Sequence, residues 1–72
     1  MADNERVKLR VLLGYWIEHS REHSQEFKEW ADRAEAAGQP ETARELLQAA
    51  QEMDSAAGSL SRALRSLDKG EP

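Results

Sequence analysis

The chain has 72 residues, of which 33% are charged and 39% apolar, and its formal charge is −4. That length allows one small domain with a thin core, since alanine is its commonest apolar residue, and chains of this size usually lean on a staple, a metal or a partner subunit. Absence of cysteine excludes disulfides and thiolate metal sites, and the negative balance argues against a nucleic-acid partner.

No basic-then-apolar leader opens the chain, so a cytoplasmic protein is expected. The longest apolar run, Val11 to Ile17, is too short for a membrane span. Helix formers dominate from Asn4 to Ala37, and a first helix is predicted there. Asp3 or Asn4 is expected to cap it, with Glu5 in its opening turn. Its apolar line is read as Leu9, Leu12, Trp16, His19, His23, Phe27, Trp30 and Ala34.

Gly38-Gln39-Pro40 is the one strong break. Glycine suits the residue just past a helix end, and proline suits a first helical position. A second helix is predicted from Pro40 to Lys69, with Gly70 as its stop. Ala43, Leu46, Ala50, Met53, Ala57, Leu60, Leu64 and Leu67 recur at alternating steps of three and four, the seam of an antiparallel bundle. A break at Ala57-Gly58-Ser59, with Ser59 capping a short third helix, is the competing reading.

The fold class is therefore all-α: a single-domain antiparallel helical hairpin over residues 1–72, with a turn at 38–40. Leu13, Ile17, Ala31, Leu47 and the Trp rings are expected near an uncovered side. A homodimeric four-helix bundle would bury them. Charge is uneven as well: residues 18–54 carry ten acids and four bases, whereas the open end carries a small basic excess. Most of these charges read as a solvated surface.

The segment Glu18-His19-Ser20-Arg21-Glu22-His23-Ser24-Gln25-Glu26 holds both histidines of the protein. Four residues apart on a helix, they project from one face. Two imidazoles one turn apart can grip a divalent transition metal, zinc or nickel first and cobalt or copper as well, with carboxylates completing the set or holding the free ring nitrogens. An antiparallel register turning near Gln39 brings Asp54 opposite His23, so the candidate ligands are His19, His23, Glu26 and Asp54. The same histidines also suit a purely structural role on a bundle seam, or two-fold pairing that gathers four of them. Tyr15, Trp16, Phe27 and Trp30 read either as a packed layer or as an exposed patch for a protein partner.

His19-Ser20-Arg21-Glu22-His23 spells the H-x-x-E-H string of inverted zinc peptidases. Such enzymes need a third ligand and a cleft from a much larger fold. No nucleophile, phosphate-binding loop or dinucleotide pattern accompanies it, and a non-enzymatic binding protein is expected.

Val11-Leu12-Leu13-Gly14-Tyr15-Trp16-Ile17-Glu18-His19-Ser20-Arg21-Glu22-His23, continuing to Glu26-Phe27 and Trp30-Ala31, resembles a small prokaryotic helical domain with a pattern like L-x-H-W-I-E-H-N-x-x-H. The likeness covers the first helix and extends loosely to Glu52-Met53-Asp54. In that family a third histidine precedes the tryptophan, which implies a metal-binding face. Here Tyr15 stands at that position, and Ser20 replaces the asparagine.

Overall fold

The computed structural model describes residues 2–69. Two helices, α1 (Asp3–Ala36) and α2 (Pro40–Asp68), run antiparallel, and no strand occurs among the described residues. Gly70, expected to stop the second helix, lies outside the described residues.

The turn follows from its three residues. Gly38 takes φ +77°, a region that costs a glycine nothing. Its N–H donates to the Glu35 carbonyl at 3.0 Å, and the Gln39 N–H donates to Ala34 at 2.9 Å. This pair of bonds satisfies two carbonyls that α1 would otherwise leave open, the Schellman arrangement. Pro40 then opens α2, where its missing N–H costs no helical bond.

Two expectations and one competing reading are corrected here. Neither Asp3 nor Asn4 caps α1: Ala2 occupies the cap position without a side-chain bond, and Asp3 and Glu5 sit in the first turn. There they still face the positive end of the helix dipole. Nor does α2 break at Gly58, because the seam residues on either side keep one continuous phase. The third correction concerns the buried stripe of α1. Leu13, Ile17, Ser24 and Ala31 are buried, with Leu9, Ser20, Phe27 and Ala34 half-buried between them. Leu12 and His19, expected on the seam, are exposed instead; Trp16 and Trp30 leave that line too, and their rings, like Leu47, lie on the uncovered side where they were also expected. Leu13, Ile17 and Ala31, expected outside, face α2.

The physical reason lies on α2. Its fully buried positions are all alanine, Ala43, Ala50 and Ala57, and Ala50 has no exposed surface at all. Three alanines at seven-residue spacing form a shallow groove that lets the helix axes approach. The matching stripe of α1 must then be small near its middle, and Ser20, Ser24 and Ala31 meet that condition where tryptophan and histidine do not. The bulkier Leu46, Met53, Leu60, Leu64 and Leu67 stay half-buried along the α2 seam.

Two arginines tie the open end. Arg10 pairs with Asp68 at 2.7 Å, and Arg6 donates to the Leu67 carbonyl at 3.4 Å, where the dipole of α2 favours a cation. The result is a rod of 52 × 15 × 12 Å with a radius of gyration of 16.2 Å, well above the roughly 11 Å of a spherical domain this size.

Candidate functional site on the histidine face of α1

Tyr15, His19, His23 and Phe27 are spaced four apart, so their rings stack along the outside of α1. Tyr15 and His19 lie nearly parallel with centroids 5.4 Å apart, and His23 and Phe27 do likewise at 5.7 Å. Between the two stacks the imidazoles meet edge to face at 4.4 Å. This geometry turns their Nε2 atoms toward each other, at 3.0 Å.

The carboxylates define the remaining ring atoms. His23 Nδ1 donates to Glu26 Oε1 at 3.1 Å, which leaves its Nε2 as an acceptor. His19 Nε2 must then carry the proton shared between the rings. Its Nδ1 faces Glu22 Oε1 at 3.9 Å, too far for a hydrogen bond. Both rings are about half exposed, and the hollow beside them, lined by His19, Glu22, His23 and Glu26, opens to solvent.

Of the four candidate ligands, the structure brings His19, His23 and Glu26 together and places Asp54 elsewhere. Asp54 pairs with Lys28 at 3.4 Å. Lys28 follows His23 by five residues, about 140° around the helix, so this pair lies on another flank of α1. The neighbouring Ser24 hydroxyl is the main influence holding the Asp54 carboxyl below its ordinary 3.8; desolvation opposes it, and the hydrogen bond and charge of Lys28 add to the lowering. Glu26 touches the pair through Nδ1 of His23 and supports a ring rather than facing the space between the Nε2 atoms. No group of three or more His, Asp or Glu side chains gathers in metal-holding geometry among the described residues.

Two residues carry structural weight that the sequence hid. Ser24 is buried at 2% exposure, and its Oγ makes no hydrogen bond of full geometry. The influence it exerts on Asp54 is therefore that of a nearby dipole at a long or bent contact. Arg33 lies over the Trp30 ring at 4.6 Å, a cation–π contact on an otherwise exposed indole. A basic residue three positions after a tryptophan was the available signal for it.

Residues 9–67 match the family described as Domain of unknown function (DUF8180). The chain belongs to that family. The DUF8180 match takes in most of both helices, the turn and the whole aromatic–histidine ladder. An uncharacterized protein of Archaeoglobus fulgidus is 43% identical over 44 residues, covering 61% of this chain and 69% of the archaeal one. No solved structure matches. No helix among the described residues is long and apolar enough to cross a membrane.

Proposed function

We propose that this DUF8180 hairpin is a non-enzymatic binding module that works by assembly, two copies pairing through the outer face of α1 into a four-helix bundle. One observation carries the reading. Leu12, Trp16 and Trp30 are 44%, 39% and 57% exposed, and with His19 and His23 they form a second line of coiled-coil spacing beside the buried seam. Apart from the Arg33 contact on Trp30, a monomer gains little from two partly exposed indoles, whereas interface cores are rich in tryptophan. Helical phase sets the half-buried Ala49, Met53, Ala56 and Leu60 of α2 along the same side. A face of about 52 by 15 Å approaches the roughly 800 Å² per partner of a standard interface. Sedimentation at micromolar concentration tests this: the wild type is expected as a dimer and Trp16→Glu as a monomer. A compact wild-type monomer up to about 100 μM, the weak end of specific association, would refute it.

A second reading has its own observation. Facing Nε2 atoms at 3.0 Å, each ring with a carboxylate near its Nδ1, suit a divalent transition metal such as zinc or nickel. Metal binding at His19 and His23 should raise thermal stability and weaken as pH falls, because only neutral imidazole is a ligand. Calorimetry on wild type and His23→Ala checks it. Wild-type affinity for both metals weaker than about 100 μM would remove this reading.

A further inference from the structure

The exposed line on α1 has an internal symmetry. His19 and His23 lie two residues either side of position 21, Trp16 and Glu26 five, Tyr15 and Phe27 six, Leu12 and Trp30 nine. At about 100° per residue, all eight also straddle one direction across the helix, while Arg21 itself points away from it. A two-fold axis set just outside the patch, perpendicular both to that direction and to the helix, at the level of residue 21, would lay α1 antiparallel on its own copy. Leu12 would then meet Trp30 on the centre line, with Tyr15 and Phe27 at one level on opposite flanks of it. A patch that matches itself under two-fold rotation is what an isologous interface requires, so the occupant it fits best is a second copy of this chain.

The same axis gathers His19 and His23 of both copies at the centre of the interface. Each hairpin offers two imidazole donors and no third, so a site on one copy is incomplete. The bite of the pair narrows the class of ion. With metal–nitrogen distances of about 2.0–2.1 Å, a separation of 3.0 Å subtends about 94° at the metal. That is compatible with the right angle of square-planar or octahedral geometry, and four imidazole donors around one ion suit the tetragonal preference of nickel(II) and copper(II). Charge points the same way. Glu22 and Glu26 flank each pair, and two copies would bring four carboxylates around four neutral rings as water leaves, an excess that a divalent cation offsets.

Resting on the pairing proposed above, we infer that the dimer binds one nickel(II) or copper(II) ion on its two-fold axis, through Nε2 of His19 and His23 from each copy. His23 is already in the required tautomer, its Nδ1–H held by Glu26. His19 must move its proton from Nε2 to Nδ1, through solvent, with no net change of charge. Glu22, now 3.9 Å away, then becomes the acceptor for the new N–H.

Titration of the full chain with nickel chloride or copper chloride, followed by native mass spectrometry and sedimentation, tests the inference. One ion per two chains is expected, with the dimer dissociation constant lowered roughly tenfold or more and a visible spectrum of nitrogen ligation. Zinc should bind more weakly than either ion. His23→Ala should lose the metal effect and keep the metal-free pairing, since Leu12, Trp16 and Trp30 remain. Trp16→Glu should lose the pairing and with it the one-per-two stoichiometry. A wild-type dimer that ignores both ions, or that takes one ion per chain, would overturn the inference while leaving the assembly reading intact. A wild type that stays monomeric with and without metal would sink both.

Discussion

Ser24→Ala should stabilise the hairpin. The hydroxyl is 2% exposed and makes no hydrogen bond of full geometry. Burying such a group without a partner costs about 1–3 kcal/mol by protein mutational data. Alanine adds about 0.5 kcal/mol of helix propensity. Against this stands the lost packing of one oxygen atom and of its contact with Asp54, a carboxylate half in water that is readily resolvated. The net gain is about 1 kcal/mol, a rise in Tm of about 4–8 °C for a chain of this length. Thermal unfolding followed by circular dichroism, at matched chain concentrations and neutral pH, measures it. Matching matters because any dimer makes Tm depend on concentration. The Asp54 carboxyl should also move back up toward 3.8, since Ser24 is the larger of the influences lowering it. A loss of about 0.5 kcal/mol or more would show that the hydroxyl has a real partner across the seam, and the reasoning would be wrong.

Gly58→Ala should stabilise α2 by about 1 kcal/mol in urea unfolding, because helical glycine is costly and the added Cβ meets only Arg62 Nη1, at an ordinary 3.5 Å. Destabilisation there would point to a role for the missing side chain. Gly38→Val should cost about 1 kcal/mol or more, since a β-branched residue resists φ +77°; an unchanged urea midpoint would place the strain elsewhere. Asp54 titrates below its unfolded 3.8, so what it contributes is present above that value and is lost as pH falls through its lower folded value. Asp54→Asn should therefore flatten the acid limb of the stability profile and leave the slope near neutrality untouched. Urea midpoints at about pH 5 and about pH 2.5 report this.

The hairpin itself was legible because two strong local signals agreed. Gly38 and Pro40 marked the turn, and the seven-residue repeat of α2 ran from Ala43 to Leu67 without interruption. The stripe of α1 was not legible, for a reason rooted in side-chain size. Periodicity weights large apolar residues, and Leu12, Trp16, Phe27 and Trp30 made the stronger line. Helix contact instead followed Leu13, Ile17, Ser24 and Ala31, with Ser20 and Phe27 half-buried, because the close approach at Ala50 and Ala57 favours small neighbours at the middle of the stripe. A seam whose middle is serine carries a weak hydrophobic signal and shows only when both helices are compared. The histidine pair was readable from its spacing alone. Its facing Nε2 atoms depend on Tyr15 and Phe27 stacking from outside, a ring orientation that spacing does not specify. Asp54 was placed opposite His23 by register, but Lys28 holds it toward another flank.

The antiparallel course of the two helices also sets the order in which the chain closes. Lys28 and Asp54 are 26 residues apart in sequence, whereas Arg6 and Leu67, at the open end, are 61 apart. Loop closure across the longer span costs about 0.8 kcal/mol more when made directly, so contacts form most readily beside Gly38 and spread outward in turn. Each step then shortens the loop that the next must close. The arginine tethers of Arg6 and Arg10 form last in that order and open first. The level of residue 21 lies midway along this path, so the terminal end can fray while the histidine rings remain stacked.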